Sequence, residues 1–469
     1  MKTHRNFKNT VLAAALFACC LTAIANDTIR LTWYEDYFYG YTRYLSITTT
    51  VGEQFTIDWG DGSDIDTITS VGGHNFSHIY YNYHYYSVTI AAITPNCQFI
   101  SFWCGDSHTE IRNRVIALDV SGCTALLRLY CSGNELSVLD VSGCTALKWL
   151  DCNNNQLLEL DLSECTALER LNCSDNQISV LDLSNNTLLR YLYCHGNQLN
   201  ALDISKNTAL GHLYCSDNQL SVLDLSKNTL GALDCSNNQL TALDISQNTI
   251  LIELYCSNNQ LTLLDLSKNK KLETLQCSNN QLTVLDIPNA HLYHLSCYDN
   301  LLQLSNLYNI SKKSNYKYLG TQRLLPQEAV VNTPVDFSSQ KKFDGIETTF
   351  TIRIKNALAP LNYYTEENGI ITFHRAGNYT VTMTNSAIVS DASYPAQVIA
   401  DISVLPDIGI EEVTSYELQV TSYEVFDILG RCLASLKSYP SLENFPNGVY
   451  IIRTYTNKGI LISKIIKFN

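Results

Sequence analysis

Carboxylates, thiols and imidazoles recur along this chain at spacings that raise the question of chemistry at once. Nine aspartates, Asp119, Asp140, Asp161, Asp182, Asp203, Asp224, Asp244, Asp265 and Asp286, follow one another at steps of 21 residues, with a single step of 20 before Asp244. Acid–base catalysis needs carboxylates set apart by their surroundings, whereas these stand in the same phrase each time. Stacked in register they would repel by ~1 kcal/mol per neighbouring pair even in water. Each is therefore expected to be solvated or to accept backbone N–H bonds. A calcium ladder would need a glycine-rich binding turn that this phrase lacks. No nucleophile elbow, metalloprotease helix, P-loop or dinucleotide fingerprint occurs, so no catalytic residue, metal site or cofactor is expected.

The thiols give the same answer. Of seventeen cysteines, nine (Cys131, Cys152, Cys173, Cys194, Cys215, Cys235, Cys256, Cys277 and Cys297) recur once per period, each two residues after a leucine. Cys123, Cys144 and Cys165 occupy a second slot that later holds Asn186, Asn207 and Asn228. A free cysteine packs as a small hydrophobe, and that is the expectation for the periodic set; a ladder of bridges between adjacent periods is the rival. Asp58 and Asp61, in Asp58-Trp59-Gly60-Asp61-Gly62-Ser63, suit either calcium or a tight turn, and the flanking glycines favour the turn. His74, His78 and His84 are expected as strand and loop residues, because no neighbouring carboxylate or thiol in the sequence completes a ligand set.

The elements that position these groups follow from the repeat itself. The phrase LxxLxCxxNxLxxLD returns nine times between Leu118 and Asn300. Within it, Leu192 and Cys194 alternate with Tyr191, Tyr193 and His195, a period-2 pattern that predicts a short strand with one buried face. An asparagine follows each strand, from Asn134 to Asn300, and stacked side-chain amides can satisfy the backbone groups of the turn. One coil cannot bury its own apolar edge, so the coils must stack. The return side is left about ten residues per coil, enough for short extended or 3₁₀ segments. On these residues the array resembles the leucine-rich repeat family, with cysteine at one consensus leucine position. The fold class expected is mainly β: a leucine-rich repeat solenoid of 21-residue coils with a parallel sheet, flanked by β-sandwich domains.

Residues that vary from coil to coil point outward from the strands and are candidates for recognition. Tyr191, Tyr193, His195, His212 and Tyr214, from two adjacent coils, form the expected centre of a ligand site; Trp149, Arg170 and Tyr255 extend it. Such side chains combine apolar area with hydrogen-bonding tips. A tyrosine is also a good solvent-facing strand residue, so the cluster, rather than any single ring, carries the expectation.

In chain order, Lys2, Arg5 and Lys8, the apolar run Val11–Leu21 and the Ala23-Ile24-Ala25 site predict a signal peptide over 1–25, with lipidation at Cys19 or Cys20 as a rival to cleavage. Residues 26–98, with the DWGDGS, His78-Ile79-Tyr80 and Val88-Thr89-Ile90 elements, resemble a PKD-type sandwich. The solenoid with its caps spans 99–315, a degenerate coil at Phe99–Cys104 opening it, and 316–405 predicts a second β-sandwich. Residues 406–469, carrying Asp427-x-x-Gly430-Arg431, Asn447-Gly448-Val449-Tyr450-Ile451 and Lys464-Ile465-Ile466-Lys467, resemble the carboxy-terminal sorting domain of the type IX secretion system. That resemblance implies type IX machinery as a partner and the outer cell surface as the destination. A net charge of −14 disfavours nucleic acid as a partner, and beyond the leader no apolar run is long enough to span a bilayer. The function expected is a secreted or cell-surface binding or adhesion protein for a protein or glycan ligand; the alternative is an accessory or enzymatic role in surface polysaccharide processing.

Overall fold

The computed structural model describes residues 27–35, 41–81, 84–105, 114–288, 292–407, 420–427, 432–436, 448–456 and 459–467. The predicted leader with Cys19 and Cys20, the polar return at 106–113 and the 428–431 turn of the carboxy-terminal motif lie outside the described residues. Among those described, no helix is long and apolar enough to cross a membrane.

The chain is mainly β. The three-residue strands Arg128–Tyr130, Trp149–Asp151, Arg170–Asn172, Tyr191–Tyr193, His212–Tyr214, Ala232–Asp234, Glu253–Tyr255 and Thr274–Gln276 stack in parallel in one sheet of thirteen strands. Register is strict: Leu150, Leu171, Leu192, Leu213 and Leu233 face one another through the stack, and all are buried. A one-residue slip would turn this apolar column to solvent, so the period of the sequence fixes the pairing. The turn leaving each strand passes through a left-handed residue, filled by Gly133, Asn154, Asp175, Gly196, Asp217, Asn237, Asn258, Asn279 and Asp299 at φ between 51° and 67°. These are the residue types that tolerate that conformation.

The asparagines behind this turn form a buried ladder. Asn218 Nδ2 donates to the carbonyls of Cys215 in its own coil and Cys194 in the preceding one, at 3.2 and 3.0 Å, while its Oδ1 accepts the Leu199 N–H at 3.0 Å. The pattern repeats from Asn134 to Asn300. Its last rung is Gln322, fully buried, whose Nε2 donates to Cys297 and Leu319 carbonyls and whose Oε1 accepts the Asn300 and Leu302 N–H groups. This off-period glutamine therefore closes a ladder that the repeat phrase no longer supplies.

The second slot has its own logic. Cys144 and Cys165 thiols donate to the Val120 and Val141 carbonyls, and Asn186 and Asn207 amides donate to the equivalent Leu162 and Leu183 carbonyls. Thiol and amide thus exchange in sequence because they serve one acceptor. Each ordinary return is two tandem turns, such as Asn207 N–H to Ile204 and Leu210 N–H to Asn207, rather than a 3₁₀ segment. The coil that is one residue short loses the second turn, and there Leu230 N–H bonds to the Asn248 Oδ1 instead.

At the amino-terminal end the sheet does not stop at a loop. Phe99–Trp103 pairs in parallel with Arg128–Tyr130 and antiparallel with Tyr41–Thr49, so one strand serves both repeat array and preceding β unit. The other sheet of that unit, through Thr28–Glu35, pairs with Val115–Asp119 on the return side. In this unit Asp58 and Asp61 accept the Gly60 and Ser63 N–H groups, the geometry of turns. His78 does meet a carboxylate, however: its Nε2 lies 2.7 Å from Asp61 Oδ2, with its ring stacked on Trp59. The fold, and not sequence proximity, brings the two together.

At the other end, helix Leu304–Ser311 replaces a repeat return and Ser314–Tyr318 adds a further parallel strand. The strands at 349–354, 377–384 and 397–405 then form an antiparallel sheet. The carboxy-terminal strands Val420–Asp427, Cys432–Leu436, Gly448–Thr456 and Gly459–Lys467 form a separate four-stranded antiparallel sheet.

Candidate functional site

Alternation on a pleated strand sends every second side chain outward, and in-register parallel pairing lines those side chains into columns. One column runs Arg128, Trp149, Arg170, Tyr191, His212, Ala232, Glu253 and Thr274. The next runs Tyr130, Asp151, Asn172, Tyr193, Tyr214, Asp234, Tyr255 and Gln276. The spacing between strands becomes the spacing between rings. Tyr191 and His212 stack at 4.7 Å, and Tyr193 and Tyr214 at 4.8 Å with planes 2° apart. The Arg170 guanidinium lies 5.1 Å over Tyr193 and Arg128 lies 4.8 Å over Trp149, both at cation–π distance.

The other two candidates stand apart from this stack. His195 lies one pleat further along its chain, on the turn, with Nε2 3.7 Å from Asp175 Oδ2. Tyr255 is separated from Tyr214 by Asp234 in the same column. Burial, then the neighbouring Tyr193 and Glu253 charges, push the Tyr214 hydroxyl up; burial, then Glu253 and Asp234, do the same for Tyr255. Both therefore remain protonated donors at neutral pH. Burial raises Asp151, partly offset by a backbone bond and by Arg170.

The outward face also extends where the repeat phrase had ended. Tyr316 and Tyr318 continue the two columns beyond His294 and Ser296, and Tyr394, from the 385–396 segment, packs on Tyr298 and Tyr318. The alternation in Ser314-Asn315-Tyr316-Lys317-Tyr318 was a usable strand signal; nothing in the sequence marked Tyr394.

The return side carries a groove of about 540 Å³ lined by Val138, Asp140, Glu159, Asp161, Val180 and Asp182, among others. Its aspartates sit in repeated turns, Oδ1 accepting the N–H two residues on. Those bonds, from the Ser163 and Ser184 backbone, hold Asp161 and Asp182 below the usual carboxylate range, the wrong direction for a general acid. Among the described residues no three His, Cys, Asp or Glu side chains form a set suited to a metal.

The array cysteines are buried and free. Burial pushes Cys173 and Cys297 up to about 12, so they carry almost no thiolate, the form that attacks disulfides and binds metals. Cys215→Ser buries a hydroxyl where an apolar thiol packed, and we expect a loss of ~1–3 kcal/mol in denaturant unfolding. Cys215→Ala or Val should cost less than Ser. Alkylation and mass spectrometry of the native protein should find thiols throughout the array; adjacent coils linked in pairs would refute this assignment.

These features define a leucine-rich repeat solenoid, and comparison with solved structures places the chain beside others of that fold. The functional domain of InlJ from Listeria monocytogenes, a structure described as including a cysteine ladder, is similar at 28% identity over 63% of this chain and 71% of that one, with a TM-score of 0.51. The leucine-rich repeat ectodomain of the receptor kinase GASSHO1/SCHENGEN3 from Arabidopsis thaliana matches at 30% identity over 39% of this chain and 25% of that one, TM-score 0.36. YopM from Yersinia pestis matches at 22% identity over 43% and 62%, TM-score 0.36. No protein-family model and no curated protein matches the chain.

Proposed function

We propose that this chain is an exported, cell-surface binding protein that recognises a protein or glycan ligand through the outward face of its repeat sheet. The observation that carries this reading is the pair of ring stacks, Tyr191 on His212 and Tyr193 on Tyr214, held at strand spacing by the repeat scaffold and at least partly exposed. Aromatic rings with polar tips, preorganised at low entropic cost, are the composition of binding hot spots. Trp149, Arg170, His195 and Tyr255 are the proposed periphery of that site. The β units at 26–98 and 316–405 act as spacers, and binding rather than catalysis is the role. A protein and glycan array probed with the full chain tests the reading; reproducible retention of one ligand class supports it, and no retention of either overturns it.

Export through type IX machinery is the second part of the proposal, supported by the ordered sorting-domain motifs in 406–469. Deleting residues 407–469 should leave the protein in the periplasm of a host that carries this machinery. Unimpaired surface display of the truncated chain would sink the idea.

A further inference from the structure

The outward face is not electrically uniform. At its amino-terminal end stand Arg128 and Arg170, both exposed and, among the described residues, without a carboxylate at ion-pair distance, with Asp151 half-buried beside Arg170. Along the adjoining strand edge are Lys148 and Arg190, against one acid, Glu169, which pairs with Lys148. Past the ring stacks the sign reverses. Asp234 and Glu253 occupy neighbouring columns on successive strands, and neither has a basic partner among the described residues. Lys268, Lys270 and Lys271 are close in sequence but sit in the return turns.

Between the two ends lies a depression. Gly211, Gly231 and Ala232 come together on adjacent strands, where other coils place Arg190, Ile252 or Glu253. The backbone does not require glycine there: a Cβ on Gly211 or Gly231 would meet nothing nearer than 3.9 or 3.7 Å, and neither has a positive φ. The rim is His212, Tyr214, Asp234, Glu253 and Tyr255, three rings and two carboxylates, a setting that attracts a cation both by charge and by ring face.

From this charge complementarity we infer that the occupant of the face is an extended polypeptide segment lying across the strands. An acidic side chain meets Arg170, and a lysine or arginine enters the depression against Asp234 and Glu253. Arg170 and Glu253 are four strand steps apart, ~19 Å at ~4.8 Å per step. An extended chain covers that distance in about six residues. The two opposite charges of the ligand are therefore set about six positions apart, with apolar or aromatic residues between them over the ring stacks. The inference rests on the outward face being the binding surface and goes further by naming its occupant.

The test presents immobilised random dodecapeptides to the full chain, to Asp234→Asn/Glu253→Gln and to Arg170→Gln. Asn at 234 keeps the bond from the Ser236 N–H, so the variants retain the fold. The parent should enrich peptides with an acidic and a basic residue about six positions apart. The first variant should lose the basic preference, with selected peptides binding about tenfold more weakly, and Arg170→Gln should lose only the acidic preference. Enriched peptides without that spacing, or preferences unchanged in both variants, would overturn the inference. So would a parent that retains no peptide yet holds oligosaccharides on an array, an outcome that leaves the binding surface itself intact.

Discussion

Replacing Asn218 with alanine should destabilise the array by ~2–4 kcal/mol, from one stranded N–H and the gap left behind. The side chain is buried and meets three carbonyls and one N–H. Removing it strands the buried Leu199 N–H, at about 1–3 kcal/mol, and leaves the Cys194 and Cys215 carbonyls with only the Asn197 and Asn238 amides. Alanine also opens a gap that neighbouring coils cannot fill without breaking register. Because stability in a solenoid is carried between nearest neighbours, amide exchange should accelerate most in the coils spanning residues 191–238. Gln219→Ala, one residue away on the exposed side, should change stability by no more than about 0.5 kcal/mol. Equal losses in the two variants would mean that the ladder is not what holds the coils together.

The second large effect is on binding. Tyr193→Ala combined with Tyr214→Ala removes a stacked pair that contributes outward area and no core atom, since Leu192, Leu213, Cys194 and Cys215 beneath it are untouched. Folding should survive, as read by an unchanged unfolding midpoint. Affinity for a ligand found by array should fall by roughly 30-fold or more, the scale of a lost hot spot. Lys206→Ala, in a return turn, is the matched control and should bind as the parent does. Parental affinity in the double variant would move the site elsewhere, with one of the flanking β units, 26–98 or 316–405, the better candidate.

Much of the scaffold was legible because the repeat enforces it. A leucine and a cysteine two residues apart, returning every 21 residues, can be buried only by a stack of parallel strands in register, and the recurring asparagine is interpretable as a ladder from its donor and acceptor capacity alone. The aspartates, too, accept backbone N–H bonds as their mutual repulsion required. What escaped is whatever depends on contacts between segments far apart in sequence. Gln322 finishes the asparagine ladder from outside the repeat, and Phe99–Trp103 joins two units through one strand. The short coil passes its Leu230 N–H to Asn248, and His78 finds Asp61 across a strand pair. For the site, alternation named the outward rings but not their surroundings. The sign reversal from Arg170 to Glu253 and the depression at Ala232 emerge only when columns are read across coils.

The most direct test of the account is a hydroxyl-radical footprint of the full chain, free and bound to the first ligand that an array returns. Protection is expected at Tyr191, Tyr193, His212 and Tyr214, falling off toward Trp149 and Tyr255, while Val180 and Val222 on the return side react as in the free protein. Protection confined to the return-side residues, or to residues 316–405, would contradict it.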